Sequence, residues 1–157
     1  MQIQIQKINS KDIPLVNRIL QTEFSYLDLT KHPLEEKIKN PRYFLWKITC
    51  DQKLAGFIEL ETLPEPEQSI RINGLSVLPE YRNLGLAQQL LSFALKEMKK
   101  KEFETAYLLV SKKNAVAQKI YSNAGFAFAY LWVEKIRGEE IEVWSKPLQT
   151  EHPKGVH

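Results

Sequence analysis

The stretch Leu75-Ser76-Val77-Leu78-Pro79-Glu80-Tyr81-Arg82-Asn83-Leu84-Gly85-Leu86-Ala87 reads as a strand that runs out through a proline-containing turn directly into a helix. Upstream, the residues from Ser69 to Val77 suit a strand. Downstream, Leu86, Leu90, Leu91, Ala94, Leu95 and Met98 recur at helical spacing and supply the apolar face of a long helix. A helix opening near Gly85 turns its first backbone N–H groups toward one place, and such an end binds anions. Gly85 lets a phosphate approach without a Cβ in the way, Ala87 is small enough for close packing, and Arg82 adds a permanent positive charge. The same residues also fit an ordinary helix start with a solvated arginine, because short glycine motifs match often by chance. The spacing Gly-x-x-x-x-Gly-Lys-Ser/Thr and the three-glycine dinucleotide fingerprint are both missing, so neither ATP nor NAD is favoured.

The strand contains a break in phase. Ile70 and Ile72 share one face of a regular strand, whereas Leu75 and Val77 fall out of step by one residue, with Asn73-Gly74 at the slip. One extra residue in a strand is a β-bulge, glycine often marks it, and bulges redirect backbone groups beside active sites. On that reading the amides around Leu75 and Ser76 turn toward a ligand. The other reading of Asn73-Gly74 is a turn between two shorter strands.

Outward from this centre the pattern alternates between periods of two and of 3.6. Ile3, Ile5 and Ile8 predict a strand, and Ser10 and Asp12 can cap a helix carrying Ile13, Val16, Ile19, Leu20 and Phe24. His32-Pro33 and Asn40-Pro41 bracket a short helical segment, Leu34 to Ile38. Tyr43 to Thr49 and Leu54 to Thr62 read as a hairpin turning at Asp51-Gln52-Lys53. After the long helix come a strand from Ala106 to Val110 and a helix from about Ala115 to Asn123, stopped by Gly125. Phe126 to Val133 and Ile141 to Ser145 then form a last hairpin around Arg137-Gly138-Glu139. The edge strand of that hairpin is a surface on which a homodimer can form.

With 157 residues, 43% of them hydrophobic, the chain can bury a core of its own and one domain is expected over 1–148, with a polar tail at 149–157. A net charge of +3 gives no electrostatic argument for a nucleic-acid partner. Cys50 is the sole cysteine, which excludes an intramolecular disulfide and suits a reducing, cytoplasmic setting. His32, His152 and His157 are too scattered for a metal site, so no metal is expected. Neither a signal-peptide core nor an apolar run of membrane-spanning length is present, so no membrane partner is expected.

Leu75 to Ala87 resembles motif A of the GNAT N-acetyltransferases, whose core is Arg/Gln-x-x-Gly-x-Gly/Ala. Asn114-Ala115-Val116-Ala117-Gln118-Lys119-Ile120-Tyr121-Ser122-Asn123-Ala124-Gly125-Phe126 is similar to the family's motif B, an Asn-x-x-Ala-x-x-x-Tyr followed by Gly-Phe. The resemblance implies an α/β (α+β) fold, in which a central, mixed, mostly antiparallel and splayed sheet of about seven strands is flanked by about four helices. It implies acetyl-CoA as acyl donor. The pyrophosphate of coenzyme A is expected on the backbone of Arg82, Asn83, Leu84, Gly85, Leu86 and Ala87, and the pantetheine arm beside Leu75, Ser76 and Val77. The cofactor is then expected where this strand splays from Ala106 to Val110, with a redirected amide polarising the thioester carbonyl. Tyr121 holds the motif position that protonates the departing thiolate, and Asn114, Ala117 and Tyr121 share one helix face that can line the cofactor groove. The other reading makes Tyr121 a core residue beside Phe126 and Asn114 a simple N-cap.

Direct transfer to an amine needs the amine neutral, so a carboxylate or a water chain must take its proton. Many relatives carry a glutamate at the position of Arg71, and this chain does not. Glu59 and Glu61, on one face of the preceding strand with Phe57, are the substitute candidates; a solvated sheet face is the other reading. The acceptor is expected to be a small-molecule amine. Two further readings are a peptide N-terminus or protein lysine as acceptor, and a non-catalytic acyl-CoA-binding module. Phe24, Tyr26, Tyr43, Phe44, Tyr130, Trp132 and Trp144 are candidates to line an acceptor pocket or to fill the core, while Glu65 and Glu67 form an acidic loop. Lys96, Lys99, Lys100 and Lys101 place positive charge late in the long helix, where its dipole favours it.

Overall fold

The computed structural model describes residues 1–23 and 33–149. Its elements are β1 (Ile3–Lys7), α1 (Ile13–Glu23), α2 (Leu34–Lys37), β2 (Tyr43–Cys50), β3 (Lys53–Leu63), β4 (Ser69–Val77), α3 (Leu86–Lys100), β5 (Thr105–Ser111), α4 (Ala115–Asn123), β6 (Ala127–Leu131) and β7 (Ile141–Pro147). The seven strands form one mixed, open sheet in the order β1-β2-β3-β4-β5-β7-β6. The pairs β1/β2, β2/β3, β5/β7 and β6/β7 are antiparallel.

Two local details differ from the expectation, each for a chemical reason. The first helical segment is capped by Asn9, one residue before Ser10. The Asn9 Oδ1 accepts from the Lys11 N–H at 2.9 Å, and Asp12 Oδ2 accepts from the Asn9 N–H at 2.8 Å. Asparagine is as good a cap as serine, and here the reciprocal partner sits three residues on, which completes a capping box. The β2–β3 turn consists of Asp51 and Gln52 alone, with φ of 48° and 70°, and Lys53 already pairs with Cys50. Two left-handed residues match the twist of a hairpin, and aspartate tolerates that conformation.

The described chain divides into two compact units, Met1–Thr62 with Ile72–Ala94, and Leu63–Arg71 with the chain from Leu95 onward. In the first, Ile8, Ile13, Val16, Ile19, Leu20, Leu34, Leu45 and Phe57 form one buried cluster. The α1 stripe and alternate sheet residues meet there, and each side chain of this size contributes about 1.5–3 kcal/mol on burial. The expected α1 residue Phe24 lies outside the described residues, as do Tyr26, His32, His152 and His157. In the second unit Ala106, Leu108 and Val110 alternate into the core with Ile141 and Val143 of the neighbouring strand. All five residues of β6 are exposed. The face of α3 expected to be apolar is buried along its whole length, from Leu86 (1% exposed) to Met98.

Candidate active site

The site elements of the first unit begin on β4. Asn73 and Gly74 lie within one unbroken strand, not at a turn between two. Ser76 is buried, while Leu75 and Val77 are half-buried. Opposite them, Gly56 on β3 is pressed against the strand. A Cβ on Gly56 would run into the Ser76 carbonyl oxygen and stand 3.2 Å from Val77 Cα. No side chain fits between these two backbones, so the close approach requires glycine.

Beyond Val77 the chain makes a short 3-10 turn, with Tyr81 N–H donating to the Leu78 carbonyl at 2.9 Å and Arg82 N–H to the Pro79 carbonyl at 3.2 Å. Asn83 and Gly85 then take left-handed φ values of 63° and 78°. The helical ladder of α3 opens with Gln89 N–H donating to the Gly85 carbonyl at 3.1 Å, so the amides of Leu86 and Ala87 precede it. Leu86 is buried by its side chain and offers only backbone, whereas residues Arg82 to Gly85 are exposed. Nothing lies within 4 Å of where a Gly85 Cβ would stand. Arg82 clamps its own loop, since its Nε donates to the Val77 carbonyl at 3.1 Å. A cationic clamp, two left-handed residues on either side of Leu84 and an open helix start suit a phosphate chain lying on the backbone.

Glu59 and Glu61 do not lie on a solvated face. Residues 55–60 of β3 are all buried, and Glu59 is only 7% exposed. A carboxylate so placed needs partners. Lys37 Nζ lies 3.0 Å from Glu59 Oε1 and 3.1 Å from Oε2, with side chains 17% and 10% exposed. Asn73 Nδ2 donates to Glu59 Oε2 at 2.7 Å and to Glu61 Oε1 at 3.0 Å, bridging the two glutamates. Arg42 Nη2 donates to Glu61 Oε2 at 3.1 Å from an exposed position. The Lys37 ammonium also stands 5.3 Å from the centre of the Tyr43 ring. Lys37, Arg42 and the bridging role of Asn73 escaped the sequence reading. Lys37 and Glu59 are 22 residues apart, and no local pattern announces such a pair.

In the second unit, α4 carries the remaining expected residues. Asn114 is exposed and caps the helix, its Oδ1 accepting from the Ala117 N–H at 3.1 Å. Ala117 and Tyr121 are half-buried on the same face. The helix ends in a Schellman motif: Gly125 takes φ of 96°, its N–H donates to the Ser122 carbonyl at 3.0 Å, and Phe126 N–H donates to the Tyr121 carbonyl at 3.0 Å. The Tyr121 and Phe126 rings meet edge-on at 5.8 Å, the apolar contact that accompanies this motif. Burial pushes the Tyr121 phenol up to about 12, so it keeps its proton through the neutral range. Of the aromatic candidates in the described residues, Tyr43, Phe44 and Trp144 are half-buried and Tyr130 and Trp132 exposed; the buried tryptophan is Trp46, which stacks edge-on against Phe93.

The model of the acetyltransferase (GNAT) family matches residues 13–126. Among solved structures the chain is similar to the ribosomal-protein-S18-alanine N-acetyltransferase from Escherichia coli, with a TM-score of 0.82, 21% identity and 98% of each chain covered. It is also similar to the spermidine N-acetyltransferase from Vibrio cholerae in complex with CoA and spermine, with a TM-score of 0.78 and 19% identity over 94% of this chain and 96% of that one. The PaiA N-acetyltransferase from Thermoplasma acidophilum in complex with coenzyme A gives 0.73 and 22%, covering 94% and 99%. At these identities the likeness is one of fold. No curated protein matches the chain in sequence.

Proposed function

This chain belongs to the GNAT acetyltransferase family, and from that premise we propose that it transfers an acetyl group from acetyl-CoA to a primary amine of a small molecule by direct attack in a ternary complex. The observation that carries the donor assignment is the loop from Arg82 to Ala87, with left-handed Asn83 and Gly85, open space at Gly85 and the α3 amides behind it. These residues fit a pyrophosphate, and Leu75, Ser76 and Val77 would flank the pantetheine arm. Asn114, Ala117 and Tyr121 complete the expected cofactor set. When bound, acetyl-CoA supplies the acetyl group as a thioester.

The chain's own residues then handle two protons. Glu59 or Glu61 takes one from the acceptor ammonium, leaving a neutral amine to attack. Tyr121 holds the other for the departing thiolate, and its raised phenol ensures that a proton is present across the working range. A small amine is favoured by the hollow beside α2, about 70 Å³ and open to solvent, lined by Pro33, Glu36, Lys37, Asn40 and Tyr43. The similarity in fold to the S18-alanine N-acetyltransferase supports a second reading, a peptide N-terminus as acceptor. The single buried Cys50 suits a cytoplasmic setting, and among the described residues no helix is long and apolar enough to cross a membrane.

The test is thiol release from acetyl-CoA across a panel of small amines and peptides, alongside calorimetry of coenzyme A binding to the wild type and to Gly85→Glu. The expected result is turnover with a small amine and a coenzyme A affinity at least roughly tenfold weaker in the variant. Turnover on peptides alone would remove the small-molecule assignment, and equal affinities would remove the loop from the cofactor site.

A further inference from the structure

Lys37 is bound by its own protein as a ligand would be. Its ammonium sits on both oxygens of Glu59 at 3.0 and 3.1 Å and stands 5.3 Å from the centre of the Tyr43 ring. Asn73, donating to the same carboxylate at 2.7 Å, keeps Glu59 from turning away. A carboxylate opposed to an aromatic face is the chemistry that selects alkylammonium ions. The lysine comes from α2, a helix of four residues, and it lines the same hollow as Tyr43. The cage that receives it is built from strands β2 and β3, which the antiparallel pairing of Tyr43 with Glu61 holds in register. A cage fixed on a sheet and filled from a short helix at its rim can exchange its occupant without rebuilding the core.

We propose that the Glu59–Tyr43 cage is the ammonium subsite of the acceptor, and that Lys37 is a built-in occupant which an incoming primary alkylamine displaces. The proposal rests on the acetyltransferase reading above and names the substrate class of that site: an unbranched alkylamine, recognised as its ammonium ion. The exchange swaps one ammonium for another on the same carboxylate, so no charge is left buried without a partner at any stage. Once seated, the acceptor ammonium gives its proton to Glu59. The neutral nitrogen forms a C–N bond to the acetyl carbon and the C–S bond breaks; the proton that the nitrogen sheds on becoming an amide balances the one that the departing thiolate takes up, leaving a neutral amide and a free thiol, while Glu59 releases the first proton to solvent. Asn73 acts through Glu59 and is a positioning residue. The arrangement also makes the free protein self-screened, because small inorganic cations must compete with a tethered ammonium.

The subsite is tested without the cofactor, by calorimetric titration of n-butylammonium chloride into the wild type, Lys37→Ala, Lys37→Arg and Glu59→Gln, against sodium chloride at equal ionic strength. Removing the occupant should tighten n-butylammonium binding by at least roughly fivefold. Lys37→Arg should weaken it, because a guanidinium grips a carboxylate with two parallel hydrogen bonds. Glu59→Gln should abolish it. If an acceptor is in hand, its KM should follow the same order, falling in Lys37→Ala and rising in Lys37→Arg; a lysine that served only to brace α2 would give no such opposite pair. Equal affinity in the wild type and both Lys37 variants overturns the proposal, as does binding that survives in Glu59→Gln. Should Lys37→Ala fail to fold, the Lys37→Arg arm still decides. A wild type that turns over acetyl-CoA with Glu59-independent ammonium binding sinks this subsite alone, whereas a wild type that binds no coenzyme A sinks the acetyltransferase reading and leaves the titration result standing.

Discussion

Gly56→Ala tests whether the close approach of β3 to β4 is needed by the site. The added methyl would meet the Ser76 carbonyl oxygen and Val77 Cα at 3.2 Å, together with the Val77 Cγ2 at 3.2 Å. Only the last of these atoms can move by changing a rotamer, so β4 itself must shift. Overpacking of this kind costs about 1–3 kcal/mol, and contact with backbone puts the expected cost near the upper end, about 3 kcal/mol. For a chain of this size that corresponds to a melting point lowered by about 6–12 °C. The displaced residues are those expected beside the pantetheine arm, so coenzyme A affinity should fall together with stability, by roughly tenfold or more. Differential scanning fluorimetry and calorimetric titration read the two effects. Gly138→Ala is the control: it has φ of 77° and open space around it, so it should lose only the left-handed preference, about 1 kcal/mol, with coenzyme A binding untouched. A Gly56→Ala protein with a melting point lowered by less than about 2 °C, or one that is destabilised yet binds coenzyme A as the wild type does, would mean that the close approach of β3 to β4 does not shape the cofactor site.

Tyr121→Phe should lower turnover by roughly a hundredfold or more while leaving coenzyme A affinity nearly intact, read by stopped thiol-release assays and titration. The same residue sets an alkaline limit on stability. Its phenol is raised from 10.0 to about 12, so its contribution is complete below pH 10 and is lost as the pH rises through about 12. The loss is at most about 2.7 kcal/mol. Urea melts at pH 9 and pH 11.5 should show that slope in the wild type, reduced in Tyr121→Phe. Asn9→Ala removes the cap that accepts from Lys11 and should cost about 1 kcal/mol, visible as a lower urea midpoint with an unchanged slope. Asn73→Leu keeps the size but loses both donated hydrogen bonds, and should lower kcat more than it weakens coenzyme A binding, which parallel kinetics and titration would reveal.

The strands and helices were legible because each repeats a period: Leu86 to Met98 keeps one helical face, and Ile141 and Val143 alternate into the core. Gly125 announced its left-handed end because few other residues accept φ of 96°. What escaped the reading was decided between segments. The choice of Asn9 over Ser10 as cap turned on where Asp12 could reach back, a matter of one residue of chain direction. Gly56 carried a weak signal as an isolated glycine in a strand, yet only the partner strand shows what it accommodates. Glu59 and Glu61 were picked out by alternation along β3, but Lys37 enters from α2 and Arg42 from the residue just before β2, and electrostatic partners leave no periodic trace.

The end of α4 places a constraint on how this protein can change. Tyr121 is tied to Phe126 twice, through its carbonyl and through its ring, and Gly125 makes both ties reachable by bending the chain between them. The aim of the phenol is therefore set by how its helix stops. A lineage that altered the Gly-Phe step would re-aim the Tyr121 phenol without touching it, so these three positions should be inherited, or lost, as one unit.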